Sequence, residues 1–409
     1  MKHLKFIFSL YSKNWLSAIL LIFVTSVSLF TLTNAIGKYQ FYHYSLDLFS
    51  STKLNDHDVY FMPFVSEDQR KDPESNYLSM EQATSNAVQQ IKNTAGVEAV
   101  IQSPFLISGE YKGNSLLMAI YDRELNEKFS LPLETGTWFR NTAKTKNAEA
   151  IAGGYSFQNV QVGSAIHVEY KKGNGITKEI DLKIVGKLKD PSAFPNFSLS
   201  GTTIFADDIW KWQDVLILNQ KNLPDDVGKD AQVSGSNFFI SIRSQANYDA
   251  AVRSIEQFGT VKPYRKILSD SSINAENKIR QNLPIPLFFL FISSMTQLSV
   301  SVLFVNKKIP EFGIYYLYGC TKFRYFCSLM ICITALALVS VLINFVMVVE
   351  CPALLHYGIL NLGHVVFDCR QIFSFVLPYE IISLLCSILF CFSIFRKKTP
   401  IELYRRLES

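Results

Sequence analysis

Leu283-Pro-Ile-Pro-Leu-Phe-Phe-Leu-Phe-Ile-Ser-Ser-Met-Thr-Gln-Leu-Ser-Val-Ser-Val-Leu-Phe-Val305 carries no charge over its whole length. A helix needs about 20 mostly apolar residues to cross about 30 Å of hydrocarbon, because each backbone N–H and C=O must be bonded within the segment. The run therefore predicts a membrane helix. Outward from it, the same test succeeds at Trp15–Gly37, at Tyr325–Val349, and at Gln371–Phe395, where Glu380 is the only charge. One helix, a large polar insert and three crowded helices make up the layout. A cleaved signal peptide is the competing reading of the first span. Its apolar run is longer than a usual signal core, and no A-x-A site follows it.

Basic residues close to the spans set the orientation, since short Lys/Arg-rich segments stay on the cytoplasmic side. Lys2, Lys5 and Lys13 precede the first span. Lys307, Lys308, Lys322 and Arg324 lie between spans two and three, and Arg396, Lys397, Lys398, Arg405 and Arg406 follow the fourth. The expected order is then a cytoplasmic amphipathic N-terminus (1–14), spans at 15–37, 283–305, 325–349 and 371–395, a cytoplasmic loop 306–324, and a cytoplasmic tail 396–409. The insert 38–282 and the loop 350–370 fall outside. The formal net charge of +5 reflects this bias and gives no ground for nucleic-acid binding.

All seven cysteines fall between 320 and 391, so the insert must fold on its own apolar core without disulfides. Only Cys351 and Cys369 share the outer loop. Three readings of that pair stay open: no bond, a disulfide, or a metal site with His356 and His364, whose gaps do not match usual zinc spacings. The expected metal and cofactor content is none.

Within the insert, alternation predicts two α+β pieces with a β-rich stretch between them. Val59–Pro63 reads as a strand. A helix follows with Ser79 and Gln82 as a capping box, Ala83, Ala87 and Ile91 as its buried stripe, and Gly96 past its end. Strands are expected near Val97–Ile101 and Leu116–Tyr121. After the β-rich stretch, Phe238, Ile240 and Ile242 alternate, and Asn247 is the expected cap of a helix carrying Ala251, Ile255 and Phe258 before Gly259. In between, Ile166, Val168 and Tyr170 alternate, Lys171–Gly175 turns, and Ile180, Leu182 and Ile184 alternate back, which predicts a hairpin. Asp190–Phe197 exposes two phenylalanines among prolines and reads as a self-packed surface loop, with a partner contact as the alternative. Tyr39–Leu54 and Ser271–Asn282 read as helical and adjoin the spans, as a stalk would.

Nucleotide-binding and hydrolytic motifs do not appear: there is no G-x-x-x-x-G-K-[ST], G-x-S-x-G or H-E-x-x-H. Asp56-His57-Asp58 reads as a solvated strand entry. Glu380 sits about two turns inside the outer boundary beside Pro378. Intramembrane ionisable groups are functional candidates, but at this depth the carboxylate is expected to reach the headgroups. No span shows a polar stripe suited to a hydrophilic path.

The specific signal is Asn306-Lys-Lys-Ile-Pro-Glu-Phe-Gly-Ile-Tyr-Tyr-Leu-Tyr-Gly-Cys-Thr-Lys322. Pro310 suits a first helical position, Glu311 the positive end of a helix, and Gly319 a C-terminal cap. These residues predict a separate two-turn helix too short to stand alone. It would present Ile309, Phe312, Tyr316 and Gly319 to a groove, with Ile314 and Leu317 nearby.

Glu311–Thr321 resembles the E-I-G-I-R-K-A-L-G-A-T element of the MacB/FtsX-type (type VII) ABC transporter permeases, with Glu311, Gly313, Ile314, Gly319 and Thr321 in register. The one-plus-three layout is similar, and Pro400–Arg405 resembles that family's P-x-E-A-L-R tail. Glu149–Gly153, Val162-Gly163 and Ile184–Gly186 resemble its Sabre subdomain. The resemblance implies four transmembrane helices and a large α+β extracytoplasmic domain on a helical stalk (38–54 and 266–282). Porter-like parts would fall at about 55–130 and 236–265, and a Sabre-like part at about 131–235. It further implies a non-catalytic subunit of a bacterial cell membrane that binds a separate ABC ATPase through a coupling helix of Glu311, Phe312, Gly313, Ile314, Tyr315, Tyr316, Leu317 and Gly319. A second permease copy or paralogue, an outer adaptor protein and membrane lipid are the other implied partners. ATP hydrolysis would drive outer-domain movement that exports an amphipathic peptide or lipid-linked substrate. The alternative is an FtsX-like regulator that activates a cell-wall hydrolase without transport. The family's basic pair is Tyr315 and Tyr316 here, its small residue is Leu317 and its second alanine Cys320, which implies a dedicated ATPase with an apolar or aromatic groove.

Overall fold

The computed structural model describes residues 15–64, 84–139, 148–171, 177–198, 203–224, 227, 232–233, 235–356, 365–366 and 369–397. The Ser79/Gln82 capping box, residues 172–175 of the hairpin turn, the segment 1–14 and the tail from Lys398 lie outside the described residues. The chain forms two compact units, Tyr42–Asn277 and Met1–Phe41 with Lys278–Ser409.

In the first unit, four antiparallel strands stand in the order Gly259–Pro263, Val59–Pro63, Phe238–Ile242, Val97–Gln102. Side chains alternate across a strand, and here both faces are covered. Val59, Phe61, Phe238, Ile240 and Ile242 pack with Ile91, Ala251 and Ile255 of the helices 84–92 and Tyr248–Glu256. Tyr60, Ile101 and Phe239 point into a second core on the opposite face. Asn247 makes no side-chain cap; a 3₁₀ turn, Gln245–Asn247, leads into the helix instead. Gly259 opens a strand rather than closing that helix.

The β-rich part is a closed barrel rather than a lone hairpin. Going round it, the strands are Phe105–Tyr111, Asn114–Tyr121, Val215–Asn219, Ala148–Gly153, Thr177–Leu188 and Ala165–Lys171. The last strand pairs back to the first through Gly109↔Tyr170 and Glu110↔Glu169. Closure removes the exposed edges that would invite pairing with other chains. Ile107, Met118, Ala150, Val168, Leu182 and Leu216 fill the interior. Two of these strands, Phe105–Tyr111 and Asn114–Tyr121, fall inside the 55–130 stretch expected with the first α+β piece; their hydrogen bonds put them in the barrel. Lys112 (φ 51°) and Gly113 (φ 81°) join them. Two successive positive φ values make a type I′ turn, whose twist matches the strands it joins.

The outward faces of the barrel strands carry Tyr121, Ile151 and Ile217 into the core that holds Tyr60 and Phe239. Phe194 and Phe197, expected on the surface, are fully buried there. Phe239 lies 5.0 Å from the Tyr60 ring and 5.1 Å from Phe197, both edge-on, a favourable aromatic arrangement.

Asp58 is also not solvated. It is fully buried, accepting from Asn55 N at 2.8 Å, Ser241 Oγ at 3.0 Å and Ile242 N at 3.3 Å, with Lys128 Nζ at 3.7 Å. Asp56, by contrast, is exposed and pairs with Arg265, whose hydrogen bond holds its carboxyl below the usual carboxylate range.

Among the described residues of the other unit, four helices are long and apolar enough to cross a membrane. The first is Trp15–Ser50, of which Trp15–Phe41 belongs here. The second is Pro284–Leu317, the third Lys322–His356 and the fourth Cys369–Lys397. Leu29, Val348, Ile372 and Val376 pack the first, third and fourth together. Val305, Leu329, Ile333 and Cys391 pack the second, third and fourth. Lipid tails are as apolar as leucine, so close packing and interhelical polar contacts must supply the association. Ser28 Oγ donates to Phe289 O at 3.1 Å, and Thr33 Oγ1 donates to Asn344 Oδ1 at 3.3 Å.

Two readings of the spans are corrected. The second helix does carry a polar stripe, Ser293, Gln297 and Ser301, all buried. Glu380 turns inward and is 4% exposed, so it does not reach headgroups.

Candidate functional site

The segment around Glu311 is not a separate short helix. The second membrane helix runs unbroken from Pro284 to Leu317, with Pro310 inside it. Proline lacks the N–H that the carbonyl four residues earlier would accept. Here that residue is Asn306, in a polar Asn-Lys-Lys stretch where water can take the bond.

The helix ends in a complete cap. Gly319 N donates to Tyr316 O at 2.9 Å and Cys320 N to Tyr315 O at 3.0 Å, the paired bonds of a Schellman turn. Gly319 has φ +83°, a left-handed conformation that a Cβ strains. Thr321 then caps the third helix, its Oγ1 accepting from Arg324 N at 3.4 Å. The Gly-Cys-Thr sequence is thus a reversal between two membrane-length helices, with one residue type for each end. Gly319→Val is expected to cost about 1 to 2 kcal/mol of stability, read as a lowered melting temperature of the purified chain. No neighbouring atom would meet the new Cβ, so backbone strain alone carries that cost.

Around this turn the side chains face outward. Ile314 and Tyr316 are each 48% exposed and Tyr318 is 86% exposed. Tyr315 stacks obliquely on Tyr325 of the third helix, ring centres 5.8 Å apart, which fixes the start of that helix against the end of the second. Phe323 is exposed as well. Tyr318 and Phe323 were absent from the residues singled out by sequence. Their signal is the run of aromatics on both sides of Gly319, where exposed apolar groups need a reason. The side chains of Glu311, Phe312, Gly313 and Leu317 lie outside the described residues, as do those of Cys351 and Cys369 and the Pro400–Arg405 tail. Gly319 closes the helix, the C-terminal cap that its sequence position predicts.

Among the described residues no three His, Cys, Asp or Glu side chains are grouped to hold a metal ion.

The fold and this site define a protein of four membrane-length helices with a large α+β domain between the first and second. No family model matches the chain, and no curated protein matches it. Among solved structures, it is similar to the extracellular domain of the noncanonic ABC-type transporter YknZ from Gram-positive bacteria. That match has 11% identity and a TM-score of 0.30 over 49% of this chain and 91% of that one. It is also similar to the periplasmic region of MacB from Actinobacillus actinomycetemcomitans, with 8% identity and a TM-score of 0.31 over 53% of this chain and 94% of that one.

Proposed function

We propose that this chain is the permease subunit of an ABC transporter of the MacB/FtsX type, converting ATP hydrolysis in a separate ATPase subunit into movement of its outer domain. One observation supports this reading most. The 34-residue helix Pro284–Leu317, about 50 Å of rigid rod at 1.5 Å per residue, contains both a membrane segment and the element that resembles the family's coupling helix. A push on Ile314, Tyr316 and Tyr318 at one end is carried into the membrane segment, because the helix continues through Pro310 without an intervening loop. A hinge between membrane segment and docking helix would lose part of that displacement.

In this reading Glu311–Tyr318 seats in an apolar or aromatic groove of a dedicated ATPase, and a second copy or paralogue completes the transporter. The cargo is an amphipathic peptide or lipid-linked molecule moved by the outer domain. It does not pass between the helices, whose polar seam is buried.

The test begins with the polypeptide alone. It holds no phosphate-cradling loop, so the verified pure chain should hydrolyse no ATP. Adding the cognate ATPase subunit should give hydrolysis that responds to this chain. Hydrolysis by the chain alone would refute the assignment.

A further inference from the structure

Ser293, Gln297 and Ser301 stand four residues apart on the second membrane helix and so share one stripe of it. The fourth helix meets that stripe with Glu380, Ser383 and Ser387, and all six residues are buried. Gln297 Nε2 donates to Glu380 Oε1 at 3.4 Å, and Ser383 Oγ donates to Gln297 Oε1 at 2.5 Å. Tyr379 Oη donates to Leu290 O at 2.8 Å and lies 3.0 Å from Ser294 Oγ. Glu380 Oε2 has no hydrogen-bond partner, and neither do the hydroxyls of Ser293 and Ser387.

An ionised carboxylate in such surroundings needs a compensating positive charge, because burying it bare costs far more than these hydrogen bonds return. No basic side chain provides one: Glu380 forms no ion pair among the described residues. Along its own helix, Arg370 and Arg396 lie about 15 and 24 Å away, and on the facing helix Lys307 lies about 15 Å from Gln297. Lys38 of the first helix and Lys322, Arg324 and Glu350 of the third sit near the ends of their apolar stretches. Among the described residues Tyr379 also lies in the seam, and Cys391 is buried where the second and fourth helices pack further along. A bound metal cation fits poorly, since Gln297 turns its N–H toward Oε1 and its oxygen already accepts from Ser383. A proton fits: it occupies no volume, removes the charge, and makes Oε2 a donor.

We propose that Glu380 is a proton-binding site inside the membrane bundle, the carboxyl carrying its proton on Oε2 while Gln297, itself held by the Ser383 hydroxyl, donates to Oε1. With the proton bound, the second and fourth helices close on a neutral seam. Without it, the seam must admit water or a cation.

Infrared spectra of the full-length chain in phosphatidylethanolamine/phosphatidylglycerol vesicles test this directly. At neutral pH the wild type should show a protonated-carboxyl band that is missing from Glu380→Gln, is unchanged when choline replaces sodium, and shifts in frequency in Glu380→Asp. The aspartate variant keeps the test valid if Glu380→Gln fails to insert. An unchanged protonated-carboxyl region in both variants would overturn the proposal. So would a carboxylate band that moves on adding sodium, which would mark a cation site instead.

Discussion

Ile314→Asp is expected to abolish co-purification of this chain with the proposed ATPase subunit and any stimulated hydrolysis, while membrane insertion stays normal. Burying an apolar side chain of this size contributes about 1.5 to 3 kcal/mol. Placing a carboxylate in the same apolar contact adds a desolvation cost that no partner there offsets. Ile314 is half exposed, so the change disturbs no core of the chain itself, and loss of binding would report on docking alone. Gly313→Trp should have the same result by bulk. Wild-type association in both variants would mean that the end of the second helix is not the docking element.

Asp58→Ala should destabilise the α+β domain by about 3 kcal/mol. The substitution orphans the buried N–H of Ile242 and removes partners from Asn55 N, Ser241 Oγ and Lys128 Nζ. Each buried donor left unpaired costs about 1 to 3 kcal/mol. Lys128 recovers part of its share because its side chain is partly exposed. Tryptophan fluorescence during urea unfolding reads the change, with Trp138, Trp210 and Trp212 all in this domain. A shift under 1 kcal/mol would show that the network is not structural.

The spans were legible because a bilayer imposes one requirement, a long run free of charge, that sequence states directly. The inward residues of two barrel strands were legible for a similar reason: Ile166, Val168 and Tyr170 face Ile180, Leu182 and Ile184 in strict alternation, and all six are buried. What stayed hidden depended on long-range pairing. Lys112-Gly113 is a weaker hairpin signal than Asn-Gly, so Phe105–Tyr111 was not read as a strand and the ring could not be closed. Asp58 looked solvated because its partners Ser241 and Ile242 come from far along the chain.

The helix end shows the same limit from the other direction. Pro310 and Glu311 are good helix-start residues, and local rules placed a new helix there. An existing helix entering from the membrane overrode them. Gly319 and Thr321 were decisive for the turn because their roles are local, one for left-handed backbone and one for capping. Glu380 was misplaced because depth alone was weighed, whereas the stripe Ser293, Gln297 and Ser301 on another helix decides where the carboxyl turns.

The most direct test of the central claim is photo-crosslinking in living cells with a benzoyl-phenylalanine in place of Tyr316, followed by mass spectrometry of the captured partner. A single main adduct is expected, a protein carrying G-x-x-x-x-G-K-[ST], that disappears when Ile314→Asp is added. Capture of lipid alone, or of proteins without that nucleotide-binding loop, would contradict it.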